Sequence, residues 1–227
     1  MSPMTPVQRM PNLQGRSGVW LVWMVGGILA LAYGLAGEAA RAEGSRAVTS
    51  LLEFRQQNVV LQEWDLSCGA AALTTLLRYQ HGDQVTEKAV ATELVNRPEY
   101  IANPELVQIR EGFSLLDLKR YVDARGYRGI GFGKMTLADL VDRAPILVPI
   151  RTRGYNHFVV FRGHLGNRVL LADPAWGNRT MTDIQFDRAW INYPQIGRVG
   201  FIVESQGSGA MLPHALSARP ADFVTFN

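Results

Sequence analysis

The stretch Gln62-Glu63-Trp64-Asp65-Leu66-Ser67-Cys68-Gly69-Ala70-Ala71-Ala72-Leu73 decides how this chain is read. A short polar run leads into Cys-Gly, and a series of small apolar residues with helical character follows. Cys68 then falls in the first turn of a helix. Unpaired backbone N–H groups and the positive end of the helix dipole stabilise a thiolate there. Cys68 is the single cysteine among 227 residues, so it has no internal disulfide partner. Two readings are open at this point: a buried structural thiol, common for this residue type, and a nucleophile.

Upstream, residues 1–42 read as an export signal. Arg9 and Arg16 form a basic start, Val19 to Ala36 is apolar and uncharged, and Ala40-Arg41-Ala42 fits a small-x-small cleavage pattern. The apolar stretch is also long enough to span a bilayer if it is kept as an anchor. In either case the positive-inside rule predicts that the rest of the chain lies outside the cytoplasm, in the periplasm. Exported chains usually pair their cysteines or have none, so a lone thiol there is unusual.

Without that leader, 20 Lys and Arg stand against 19 Asp and Glu, scattered along the chain. This balance argues against nucleic acid as a partner. The remaining length suits one domain with a full core. We expect a lead-in over 43–55, the main domain over 56–204, and a flexible tail over 205–227 rich in Gly, Ser, Pro and Ala.

Downstream of Cys68 the apolar spacing predicts a helix from Gly69 to about Tyr79, ended by Gly82. Thr86 opens another, to about Val95. Residues 96–110 read as a loop. Ser114 and Asp117 form a capping-box variant before a third helix that stops near Gly126, and Thr136 caps a short fourth one. The period then changes. Residues 146–150, 157–162 and 168–172 read as strands, the last two joined as a hairpin through 163–167. A short helix over 184–190 and a strand over 199–203 complete the domain. Helices first and strands later predict an α+β fold, a helical part packed on an antiparallel sheet.

A cysteine protease needs a nucleophile, a base, a group to orient the base, and donors for the oxyanion. His157 starts a strand and can face a helix terminus. Asp173 lies at the end of the partner strand of the hairpin, which brings it near His157. Gln62, six residues before Cys68, carries an amide able to donate to an oxyanion beside the Cys68 N–H. Trp64 either walls the cleft or joins the core. His81 falls at a helix end, His164 in the hairpin turn and His214 in the tail. The spacing of Cys and His predicts no metal, and Gly129 to Gly133 does not open onto a phosphate-binding helix, so no cofactor is expected.

The chain resembles the peptidase C39 family of papain-like cysteine proteases. The resemblance rests on Gln62 with Ser67-Cys68-Gly69-Ala70-Ala71-Ala72-Leu73, on His157-Phe158-Val159-Val160, on Asp173-Pro174 followed by Gly177, and on Gly112-Phe113-Ser114 with the helix after it. It spans roughly residues 56 to 204. It implies a papain-like fold with Cys68 as nucleophile, His157 as general base, Asp173 as orienting acid and Gln62 as oxyanion donor. Many members carry an acidic residue just before the cysteine, where this chain has Ser67. The better-known members are fused to ABC transporters and trim leader peptides in the cytoplasm. This chain looks more like stand-alone exported members, some of which accompany secretion of functional amyloid or other surface fibres.

The expected function is an exported cysteine endopeptidase processing a secreted or surface-assembled protein partner or its secretion machinery. Two alternatives use the same cleft: an amidase acting on cell-wall peptides, and a non-catalytic binding module or chaperone. The second class usually loses its nucleophile or base, and here both are present. Membrane contact is expected only through the N-terminal segment.

Overall fold

A computed structural model describes residues 50–207 and 215–225. The export signal, most of the lead-in and His214 lie outside them. Among the described residues no helix is long and apolar enough to cross a membrane.

The chain opens with helix α1 (Leu51–Gln56), held by a reciprocal capping box between Ser50 and Glu53. It covers the end of the segment 43–55 read from the sequence as a lead-in. Val59, in the segment that follows, is buried. Helix α2 (Cys68–His81) is the central helix. Every residue from Cys68 to Leu77 is buried, because small Ala and Thr side chains let it lie tightly against its neighbours. Gly82 ends it in the left-handed conformation (φ 72°). Helix α3 (Glu87–Val95) follows from the Thr86 cap. Residues 96–110, expected as loop, contain two short helices, α4 (Pro98–Ala102) and α5 (Leu106–Ile109). Proline at the first helical position explains the first, since that N–H has no partner in a helix anyway. Helix α6 (Leu115–Ala124) has the expected Ser114–Asp117 capping box.

The second half is the sheet. Strand β1 (Tyr127–Phe132) is followed by α7 (Leu137–Arg143), β2 (Ile146–Thr152), β3 (Tyr155–Leu165), β4 (Arg168–Asp173) and β5 (Gly177–Thr182). Then come α8 (Asp183–Ala189), a small ribbon of β6 (Asn192–Tyr193) and β7 (Gly197–Arg198), β8 (Gly200–Ser205) and, last, α9 (Pro220–Thr225). Six strands form one sheet in the order β1-β8-β2-β3-β4-β5, antiparallel throughout. The α+β arrangement is therefore present, with more strands than the sequence pattern gave. His164 lies within β3 rather than in a turn, and is paired with Asp183 at 2.9 Å.

Each face of the sheet buries its own cluster. Leu147, Val160 and Ala172 pack with α2, α3 and α6. Val148, Ile150, Val159 and Phe161 pack beneath α7 and α8. This is the two-sided burial that makes strands β2 to β4 continuous apolar runs.

The expected flexible tail needs correction where it is described. Leu216 is fully buried, and Phe223 packs on Leu170 and Phe54. The reason is a buried cation. Arg162 donates to the carbonyls of Leu216 (2.9 Å) and Ser217 (3.3 Å) and to Asn178 (2.6 Å), and it pairs with Asp222. Asn178 in turn donates to the carbonyls of Phe54, Arg55 and Gln57. One polar hub thus ties residues 54–57 and 215–222 to the sheet, a demand that composition does not reveal.

Candidate active site

Ser67 precedes the helix but does not cap it. Its single hydroxyl proton is shared instead between the Trp64 carbonyl (2.7 Å) and the Glu87 carboxylate (2.5 Å). The first intrahelical bond runs from Ala71 to Ser67. The N–H groups of Cys68, Gly69 and Ala70 therefore keep no helical partner, and the positive end of the dipole is left uncapped at Cys68.

The first turn of α2 rests on the strand that carries His157. A side chain at Gly69 would meet the Phe158 ring at 3.2 Å, so glycine allows this approach. It sets Cys68 beside the His157 ring, near enough to help raise the imidazole pKa. On the ring's other side, Nε2 lies 2.7 Å from Oδ1 of Asp173. The hairpin reasoning for this pair holds: β3 and β4 pair antiparallel, with His157 near the start of one and Asp173 at the end of the other.

Both groups are shielded, His157 at 8% exposure and Asp173 at 0%. Burial pulls the imidazole pKa down. The hydrogen bond with Asp173, and then that with Cys68, more than offset this and push it up to about 9. For Asp173 burial acts upward, and the bond from His157 and the charge of Arg179 outweigh it, so the carboxyl is held below its ordinary value. Asp173 also accepts from the Ala175 N–H (2.9 Å) and from Nε of Arg179 (2.7 Å).

Gln62 reaches the same corner through its backbone, whose N–H donates to the Pro174 carbonyl at 2.9 Å. Its side-chain Nε2 donates to the Trp64 carbonyl (3.1 Å), and its Oε1 is buried without a partner. Trp64 is 43% exposed and lines a cleft of about 250 Å³ with Leu66, Val95, Val107 and Phe113, so it walls a groove rather than filling the core. A second cleft of about 490 Å³, sharing Phe113, runs past His157 and Phe158 to Ile196 and Val199.

Two participants escaped the sequence reading. Glu87 is 3% exposed and accepts from Ser67 and from the Glu63 N–H (3.0 Å), so it holds the loop before Cys68. A glutamate at the start of a helix is ordinary, and nothing in the sequence marks it as buried. Arg179 lies on β5, a strand without apolar alternation. A hairpin continued past Asp173-Pro174 was the available signal for it.

A model of the peptidase C39 family matches residues 56–194. The chain is 38% identical over 146 residues to the "Probable functional amyloid protease FapD" of Pseudomonas aeruginosa, and 39% identical over 148 residues to the protein of that name from Pseudomonas fluorescens. Each alignment covers 64% of this chain and 62% of the relative, so the chain spans under two thirds of their length. Among solved structures, a double glycine motif protease from an AMS/PCAT transporter in complex with the leader peptide has a TM-score of 0.51 at 22% identity, covering 65% of this chain and 91% of that one. The peptidase domain of Streptococcus ComA, a bifunctional ABC transporter, has a TM-score of 0.52 at 17% identity, covering 66% and 100%. These two likenesses show the fold, the papain-like α+β arrangement expected from the sequence.

Proposed function

The chain belongs to the peptidase C39 family, and on that premise we propose that it is an exported cysteine endopeptidase with Cys68, His157 and Asp173 as its triad. The observation that carries this reading is the bond between His157 Nε2 and the buried Asp173 Oδ1 at 2.7 Å, with Cys68 near enough to raise the imidazole pKa.

Cys68 Sγ attacks the scissile carbonyl as the thiolate, paired with the His157 imidazolium. The carbonyl oxygen becomes an oxyanion, held by the free Cys68 N–H and by the Gln62 Nε2 proton not engaged with Trp64. As the C–N bond breaks, His157 gives its proton to the leaving amine. A thioester remains on Cys68. His157, now neutral, takes a proton from water, whose oxygen attacks the thioester and releases the acid and the thiolate. Asp173 fixes the ring and stabilises its charged form.

The names of the relatives support a functional amyloid protein as the substrate, and the export signal read in segment 1–42 supports a secreted one. The leader-like segment 1–42 supports a periplasmic location. The test is a comparison of cells carrying the wild-type chain with cells carrying Cys68→Ala. New N-termini of secreted proteins are read by mass spectrometry. At least one secreted protein should stay uncut in the variant. Identical sets of N-termini, with Cys68 unreactive to iodoacetamide, would sink the reading.

A further inference from the structure

On the face of the sheet opposite α2, three arginines converge. Arg151 at the end of β2, Arg179 on β5 and Arg188 on α8 line one open cavity of about 470 Å³, with Gln185 and Thr180 between them. The cavity lining contains no carboxylate. Among the described residues Arg151 and Arg188 have no ion-pair partner, and Arg151 donates only to Asn156 (3.2 Å).

Arg179 supplies the connection to the site. Its Nε is taken up by Asp173, and its Nη2 is buried with no acceptor. A buried donor without a partner is unfavourable, and the two unpaired charges of Arg151 and Arg188 beside one cavity repel each other. An anion in the cavity relieves both. The planar guanidinium fork matches a carboxylate or phosphate through two parallel hydrogen bonds. A cavity walled by one sign of charge also concentrates its counter-charge.

We propose that this cavity is an anion site that holds an acidic segment of a polypeptide, through its carboxylates, next to the His157–Asp173 pair. A protein segment is favoured over a free anion because the cavity is open, and Gln185 and Ala189 in its lining offer contacts for a backbone and side chains. The role for such a segment, holding a substrate or partner at the site, rests on the protease reading. The binding itself does not.

The experiment is calorimetric titration of the full chain with a tetraglutamate peptide, a tetraglutamine peptide and inorganic phosphate, at low salt and at physiological salt. The variants are Arg151→Gln, Arg188→Gln and the pair together, and Arg179 is left intact. The tetraglutamate peptide should bind, weaken about tenfold in each single variant and more in the pair, and weaken with salt, while tetraglutamine should not bind. Circular dichroism of the double variant checks that it is folded. Equal affinity for tetraglutamate in the folded double variant overturns the site. Binding of phosphate without tetraglutamate overturns the polypeptide assignment, as does no binding at all. Because none of these readouts uses catalysis, an inactive enzyme with an intact anion site remains distinguishable from a failed proposal.

Discussion

Nε2 of His157 and Oδ1 of Asp173 stand 2.7 Å apart, with the carboxylate fully buried. A buried imidazole alone would prefer to be neutral. The buried carboxylate reverses this and makes the charged ring the favoured form, with a pKa up to about 9. The same contact leaves the other ring nitrogen for Cys68 and so joins the electrostatics of the fold to its chemistry.

This pair links stability to pH. A raised folded-state pKa contributes stabilisation that is complete below the ordinary imidazole value of 6.5 and is lost as pH climbs through about 9. The shift corresponds to about 3 kcal/mol. In urea unfolding, the wild type should therefore lose stability between pH 6.5 and 9, and His157→Gln should not. Asp173 works in the opposite sense: its carboxyl is held low, so its contribution is present above the ordinary carboxylate range and disappears as pH falls below it. Parallel pH curves for wild type and His157→Gln would contradict the assignment.

Cys68 should be alkylated by iodoacetamide at pH 7 about tenfold faster in the wild type than in His157→Ala, because the imidazolium stabilises the attacking thiolate. Asp173→Asn should keep the fold and lower peptide cleavage about 100-fold or more, since an amide can hold the ring in the wrong tautomer and cannot balance its charge. Unchanged alkylation in His157→Ala would remove the main support for a working pair.

Glu87 should matter although it is remote from any substrate. It accepts from Ser67 and from the Glu63 N–H, and these bonds shape the loop that delivers Cys68. Glu87→Ala leaves the Glu63 N–H without an acceptor and the Ser67 hydroxyl with the Trp64 carbonyl alone, and a loss of about 1–3 kcal/mol is expected in denaturant unfolding. Glu87→Gln retains an acceptor oxygen and should recover part of it. Equal stability of the two variants would show that the carboxylate position is incidental.

The residues that were legible in the sequence are those whose chemistry is local. The capping box at Ser114, the Thr136 cap, the small-residue run after Cys68 and the apolar strands 146–150 and 157–162 follow from spacing alone. The hairpin then placed Asp173 beside His157. Strand β1 was hidden by its glycines. Gly129 is there because a Cβ would stand 2.8 Å from both Phe201 and Val122, a tertiary fact with no local signature. Strand β5 is polar and marginal in propensity. It forms because β4 offers a ladder and because the Arg162–Asn178 hub anchors its start. The short helices in 96–110 fall below the length at which periodicity can be read.

Gly177 shows how tightly the site is tied to the start of the domain. Its φ is +79°, and a Cβ would lie 2.3 Å from the Arg55 carbonyl. Gly177→Ala is strained in its backbone and also pushes α1 off the sheet next to Asp173. A loss of about 2–4 kcal/mol is expected by thermal or denaturant unfolding. Wild-type stability in Gly177→Ala would mean that residues 54–57 do not pack against β5.

The C-terminal segment supplies the most discriminating test of the fold, because composition and structure give opposite answers. If residues 215–225 were a loose tail, ending the chain after residue 214 would change little. In the structure that cut exposes the surface under Leu216 and Phe223 and removes the two carbonyls and the carboxylate that face Arg162. Burial pulls the Arg162 pKa down to about 10 even with Asp222 opposing it. An arginine left there with its counter-charge gone and only Asn178 to accept from it is the costly case, about 3–5 kcal/mol. The shortened chain should thus unfold at markedly lower denaturant. Adding Arg162→Met to the shortened chain should restore part of that loss, since an apolar side chain of similar length needs no partners. Truncation without effect would return the segment to the status of a tail. Truncation that destabilises equally with and without Arg162→Met would assign the loss to Leu216 and Phe223 alone.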